Sequence, residues 1–293
     1  MKVYMFHYVQ KNFSYFHFDF NMFEKFIKEY SKKYNFIGLE DFKSLYNNNN
    51  VFKEKDNNVL LTFDDGTKDH YKYVYKILKK YNAKGLFFLT SNIFERKILD
   101  IHKIHMLISK VDCNLLSNDI LVLAEQESLN IDREKMVKTK YDNDEMKFVK
   151  QMLQYILPDE IRKKILDTLL NKYNIKISFD DFYLSINEIM ELRDNGMEFG
   201  IHTKSHKRLE FLSKDEQKKE IEENIKKLEK NGVLSNIRTI AYPFGSYNKE
   251  TFDILKKNRI EFAFTIDAKY NKKSKYEIER IDAKKLEKIF GGN

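Results

Sequence analysis

The amino-acid sequence predicts an α/β fold with a largely parallel sheet, and three observations predict it. Short apolar runs of strand length alternate with amphipathic stretches of helix length. Each apolar run is followed by such a stretch, the order of a βα barrel or of a doubly wound sheet. One segment, 95–185, departs from this rhythm and carries helical patterns without a convincing strand.

Taken in order, VYMFHYV (3–9) reads as the first strand and MFEKFIKEYSKKY (22–34) as the helix after it. The polar run Asn47–Asn50 lacks periodicity and reads as a surface loop. NVLLTF (58–63) is a strand that ends in a turn, followed by the helical pattern KDHYKYVYKILKKY (68–81) and a third strand, GLFFLT (85–90). Within 95–185 the apolar periodicity of 102–111, 145–157 and 159–173 predicts helices, the last opened by Pro158 and Asp159, so this stretch reads as a helical insertion. The alternation resumes with a helix at 186–196 that Gly196 stops, a strand at 197–201, the charged helix from Lys214, a strand at 237–242, a helix at 249–258 and a strand at 261–266. No internal repeat is present.

Composition excludes several classes. Against average usage of about 7% Gly and 5% Pro, 9 Gly and 2 Pro in 293 residues rule out collagen-like and linker architectures. A single thiol, Cys113, allows neither an intramolecular disulfide nor a Cys-rich zinc module, so any metal falls to His, Asp or Glu. Polar residues interrupt the first twenty positions where a secretory signal needs an apolar run, and no stretch approaches a membrane span; the expected location is the cytoplasm. The net charge of +8 comes from interleaved signs, as in KDEQKKEIEENIKKLEK (214–230), which reads as a solvated helix face and argues against nucleic acid. A mild attraction for an anionic substrate such as a nucleotide sugar remains.

Three local patterns carry chemistry. Thr62-Phe63-Asp64-Asp65-Gly66 places two carboxylates at the C-terminal end of an apolar strand, with a glycine for the turn and Thr67 to cap the next helix. An Asp-Asp-Gly alone is often only a capping pair. His202-Thr203-Lys204-Ser205-His206, after another strand, puts two imidazoles at a spacing from which both can reach one ion; two exposed loop histidines is the plainer alternative. With one carboxylate, two histidines leave coordination positions open, the mark of a catalytic rather than a closed site. Ala241-Tyr242-Pro243-Phe244 follows a third strand and could aim backbone N–H groups at an oxyanion, though alone it would be a turn.

Together and in this order, these patterns resemble the NodB-type polysaccharide deacetylases, carbohydrate esterase family 4. Thr62–Gly66 matches the family's Thr-Phe-Asp-Asp-Gly motif in full and His202–His206 its His-Thr/Ser-x-x-His motif. Its Arg-x-Pro-Tyr motif stands here as Ala241-Tyr242-Pro243-Phe244, with Arg lost. The late Leu-x-x-His motif is missing, since no His follows His206; in the branch with poly-N-acetylglucosamine deacetylases the acid histidine comes from the first strand, as His7 does here. The resemblance covers 1–94 and about 186–282, with 95–185 outside the common core.

The resemblance implies a distorted (β/α) barrel with a helical insertion, residues 1–293 forming one catalytic domain. It implies a divalent metal, zinc by the family's custom, held by Asp65, His202 and His206. Asp64 is then the general base, His7 the general acid and the Phe244 N–H an oxyanion donor. Arg280, in Glu279-Arg280-Ile281-Asp282, is a candidate for the cation that Ala241 no longer supplies. His17, His70, His102 and His105 match no motif and read as surface or packing residues. The implied activity is removal of an acetyl group from an N-acetylated sugar, nucleotide-linked, lipid-linked or in a glycan, during bacterial surface glycan synthesis. An O-deacetylase with the same site, or a silent carbohydrate-binding or assembly protein that kept the fold, are the alternatives. No nucleic-acid or membrane partner is implied.

Overall fold

Strands buried on both faces set the architecture. The computed structural model describes residues 1–11, 17–48, 57–129, 131 and 144–290. These fall into two compact units, one from the described residues of 1–97 and 179–290, the other from those of 98–178.

The first unit is built on β1 (Lys2–Phe6), β2 (Tyr8–Gln10), β3 (His17–Asp19), β4 (Asn35–Phe36), β5 (Asn58–Asp64), β6 (Leu86–Leu89), β7 (Glu198–Ile201), β8 (Thr239–Ala241), β9 (Phe262–Thr265), β10 (Ile278–Glu279) and β11 (Ile281–Asp282). Its main sheet runs β10-β9-β8-β7-β6-β5-β1-β11, with β4 beside β5, and every pairing is parallel. Only Arg280 separates β10 from β11, so the two ends of the path are halves of one short stretch, and the sheet returns on itself as a barrel. The apolar run expected as one strand over 3–9 is broken at His7, and its second half pairs instead with β3.

Register and the two-residue period decide which side chains look inward. Val3 lies opposite Leu60 and Thr62 opposite Leu86. Val3, Leu60, Leu86, Phe88, Ala241, Phe264 and Ile278 belong to one buried cluster, so Thr62 and Asp64 share the inner face with Leu60. On the opposite face Phe6, Phe63, Phe87 and Phe199 form a ladder across β1, β5, β6 and β7, with ring centroids 5.3, 4.8 and 5.7 Å apart. Phe23 and Phe26, from the helix Phe20–Tyr30, cover it at Phe6. Each such aromatic contact adds about 0.5–1.5 kcal/mol beyond the area it buries.

Two glycines are demanded by this packing. At Gly200 a Cβ would stand 2.4 Å from Thr239 Oγ1 and 2.6 Å from the Phe88 ring, so only Gly lets β7 sit between its neighbours. Gly66 has φ +63°, and a Cβ there would meet Ile93 and Leu89 at 2.5 and 2.6 Å.

The second unit is helical. Its helices Asp100–Lys110, Cys113–Gln126, Asp144–Gln151 and Asp159–Lys172 bury Ile104, Leu107, Leu116, Ile120, Val149, Leu166 and Leu169. Asp112 caps the second of these by accepting from the N–H groups of Asn114 and Leu115. Among the described residues of 98–178 there is no strand.

Candidate active site

The C-terminal ends of β1, β5, β7, β8 and the β10/β11 stretch each deliver one piece of the site. Inward parity on β5 turns Asp64 into the barrel, where it is 1% exposed. The next residue, Asp65, leaves the strand with φ 73°, and Gly66 follows with φ 63°. Two consecutive left-handed residues swing the second carboxylate across the strand ends instead of letting it continue the pleat.

At the end of β7, His202 Nδ1 donates to the Ala241 carbonyl at 2.7 Å, a group that can only accept. That bond fixes the tautomer and leaves the Nε2 lone pair inward, buried and with no hydrogen-bond partner among the described residues. It points at Asp65 Oδ1, 3.5 Å away, with His206 Nε2 at 3.4 Å from the same oxygen. Burial lowers the His202 pKa against the opposing pull of Asp64 and Asp65, which favours the neutral ring. A lone pair facing a carboxylate oxygen in a dry site is a repulsive arrangement that a cation between them resolves. The three donor atoms lie within 4.8 Å of one another, and two imidazoles with one carboxylate suit a divalent ion, so the residues fit the metal that the family resemblance implies.

The turn between the histidines is strained and braced. Thr203 and His206 have φ 63° and 59°, conformations that non-glycine residues hold only where their surroundings impose them. The brace comes from the charged helix Lys214–Lys230, whose inner side buries Gln217, Glu220 and Asn224. Asn224 Oδ1 accepts from His202 N–H at 2.9 Å, while the Glu220 carboxylate accepts from Ser205 N–H and Ser205 Oγ–H at 2.8 and 2.5 Å. The sequence identified this helix by its exposed face; the two polar residues that serve the site were legible only as a buried 3–4 spacing.

Asp64 is held from the far end of the chain. Arg280 Nη1 and Nη2 donate to its two oxygens at 2.7 and 2.8 Å, and Nη1 also donates to Thr62 Oγ1 at 3.1 Å. Both side chains are 1% exposed. Burial works to raise the Asp64 pKa, but the Arg280 guanidinium outweighs it and holds the carboxyl below its ordinary value. Arg280, and no residue of the Ala241–Phe244 motif, is thus the cation paired with Asp64.

His7, at the break between β1 and β2, has Nε2 3.8 Å from Asp64 Oδ2 and a side chain 38% exposed. Phe244, in the turn Pro243–Gly245, is left-handed at φ 58°. Its ring packs edge-on to His206 at 4.8 Å and carries the Arg208 guanidinium 4.0 Å from its centroid. Of the histidines without a motif, His70 and His102 are buried, and His70 Nε2 donates to the His7 carbonyl at 2.7 Å.

A parallel α/β barrel with acidic and imidazole side chains gathered at the C-terminal ends of its strands is the architecture of a barrel enzyme. The chain belongs to the polysaccharide deacetylase family, whose sequence profile it matches over residues 53–117 and 133–263. That match takes in Asp64, Asp65, His202, His206 and Phe244, and it extends into the helical segment. The fold is similar to the Streptococcus pyogenes deacetylase PplD solved in complex with acetate, with 19% identity over 96% of this chain and 91% of that one and a TM-score of 0.60. It is similar also to IcaB from Ammonifex degensii (17% identity, 99% of this chain, 95% of that one, TM-score 0.58) and to a de-N-acetylase from Aggregatibacter actinomycetemcomitans (16%, 99%, 98%, TM-score 0.58). At these identities the likeness is one of fold. No curated protein sequence matches the chain. Among the described residues no helix is long and apolar enough to cross a membrane.

Proposed function

We propose that the protein is a metal-dependent carbohydrate N-deacetylase acting on an acetamido sugar in bacterial surface glycan synthesis, with residues 1–293 as one catalytic domain that the helical segment interrupts. The observation that carries the proposal is the buried His202 lone pair converging with His206 on Asp65 beside a second carboxylate that is separately neutralised by Arg280. Asp65, His202 and His206 would hold the ion, zinc in this reading. When bound, it would supply an activated nucleophile and polarise the acetyl carbonyl.

The chain's own groups account for the proton transfers. Asp64 takes the proton of the attacking water; Arg280 keeps this carboxylate ionised and fixes both its oxygens, so it is ready as a base at neutral pH. The Phe244 N–H, in its left-handed turn beside His206, is assigned to the oxyanion of the tetrahedral species. As the C–N bond breaks, His7 gives its proton to the departing nitrogen, and acetate and the free amine leave. His7 stands 3.8 Å from Asp64, close enough for the two groups to serve opposite ends of one small acyl group.

The test is acetate release. Metal-reconstituted protein incubated with a panel of acetamido-sugar donors and acetylated oligosaccharides is expected to release acetate, and Asp64→Asn to lose about 10²–10⁴-fold of it. Full retention of turnover by Asp64→Asn would refute its assignment as the base, and no acetate from any donor while metal stays bound would favour a carbohydrate-binding role instead.

A further inference from the structure

The acid histidine has no rigid anchor of its own. His7 sits at a break between two short strands with its ring partly in solvent. Two side chains just beyond the carboxylate pair tie the backbone on either side of it. His70 Nε2–H donates to the His7 carbonyl at 2.7 Å, and Asp69 Oδ2 accepts from the Val9 N–H. Both are buried deeply, Asp69 at 3% and His70 at 0% exposure. Burying a carboxylate is costly unless its hydrogen bonds repay it, and its one hydrogen bond among the described residues goes to this segment.

The other side of the same turn is fixed too. Leu184 N–H donates to the Gly66 carbonyl at 3.0 Å and Lys68 N–H to the Phe182 carbonyl at 2.8 Å. Lys68 Nζ reaches Glu188 at 2.6 Å. His70 itself is wedged against the rings of Phe63 and Phe87, each 5.6 Å away. A carbonyl cannot donate, so the bond to His7 also settles the His70 tautomer, with the proton on Nε2.

We infer that Asp69 and His70 are positioning residues for His7, a clamp through which the turn carrying the carboxylates Asp64 and Asp65 also sets the place of the proton donor. This rests on the reading of His7 as general acid. Its consequence is that the clamp matters for substrates whose leaving group needs a proton and much less for those whose leaving group does not.

The test compares acetate release from an N-acetylated sugar with hydrolysis of p-nitrophenyl acetate, whose phenolate departs unprotonated. The variants are His70→Leu, which removes the donor, His70→Gln, which keeps an N–H at a similar reach, and His7→Ala as reference. His70→Leu is expected to lose at least about tenfold more amide than ester turnover, a fraction of the 10²–10⁴ a general acid contributes. His70→Gln is expected to recover most of that loss, and His70→Leu to add nothing in the His7→Ala background. Hydrogen exchange of a peptide spanning 3–10 is expected to quicken in His70→Leu while that of 197–202 does not. Equal loss of amide and ester turnover in His70→Leu reduces His70 to a packing residue and overturns the clamp. A selective amide defect in His7→Ala with none in His70→Leu overturns the clamp and leaves the acid assignment standing. No selective defect in His7→Ala refutes that assignment and the clamp with it. If no acetamido sugar is turned over, unchanged exchange at 3–10 in His70→Leu overturns the clamp and faster exchange upholds it.

Discussion

Replacing Arg280 by Met removes a guanidinium whose two nitrogens stand 2.7 and 2.8 Å from the Asp64 oxygens while keeping an unbranched apolar stem in its place. The partners are each 1% exposed, so the abandoned carboxylate has no water to turn to. Removing one member of a buried pair costs about 3–5 kcal/mol, because the other is left charged and uncompensated. The pH dependence should invert. In the wild type the Asp64 pKa is held down, so its contribution to stability is present above the unfolded value of 3.8 and is lost as pH falls through the folded one. Without Arg280, burial prevails and the folded pKa rises above the unfolded one, so stability is lost as pH climbs from about 4. Urea unfolding in chelator, at constant m value, reads the loss as a shift in midpoint. Asp64→Asn in the Arg280→Met background should recover much of it, since the unpaired charge is gone; Arg280→Lys should fall between, having the charge without the fork. A loss below about 1 kcal/mol in Arg280→Met, or strict additivity in the double variant, would refute the pairing as the reason Arg280 is buried.

Three further outcomes are expected of the site and its scaffold. His202→Ala and His206→Ala should fail to retain a divalent ion after dialysis, whereas Asp64→Asn should keep it, as measured by metal analysis of the dialysed proteins. Glu220→Ala should weaken metal affinity by about 10–100-fold without touching a ligand, because it frees Ser205 within the strained turn; competition with a chromogenic chelator measures it. Glu198, on β7, accepts from Leu39 N–H at the start of the helix Leu39–Asn47, where Gly38 offers no side-chain cap. Burial raises its pKa, countered in part by the Leu39 N–H and Lys84 and reinforced by Glu40 and Asp41. Its favourable contribution is present at low pH and lost as pH rises from 4.5 through the raised value, so the melting temperature of Glu198→Gln relative to wild type should climb between pH 4 and pH 7.

The strands at 58–63, 85–90, 197–201, 237–242 and 261–266 were legible because each is a short, mostly apolar run buried on both faces, and such runs announce themselves without knowledge of their neighbours. The β10/β11 stretch was not legible as strand. Its residues Glu279, Arg280 and Asp282 show no apolar pattern, and it pairs as two halves to different partners, β9 and β1. The break at His7 was hidden as well, since VYMFHYV reads as one apolar run and only the pairing of Tyr8 with His17 shows that the chain has changed sheets.

The sequence by itself determined the chemistry on offer: two carboxylates at one strand end, two imidazoles at another, a proline turn at a third, and no cysteine set to compete for a metal. Those patterns are local, so their meaning survives without a fold. Tertiary structure decided which groups make them work. Arg280 meets Asp64 across 216 residues, Asn224 and Glu220 reach the His202–His206 turn from a helix whose visible pattern is its solvent face, and His70 grips the backbone of His7. A supporting side chain is chosen by where a closed sheet brings it, and no spacing along the chain encodes that meeting.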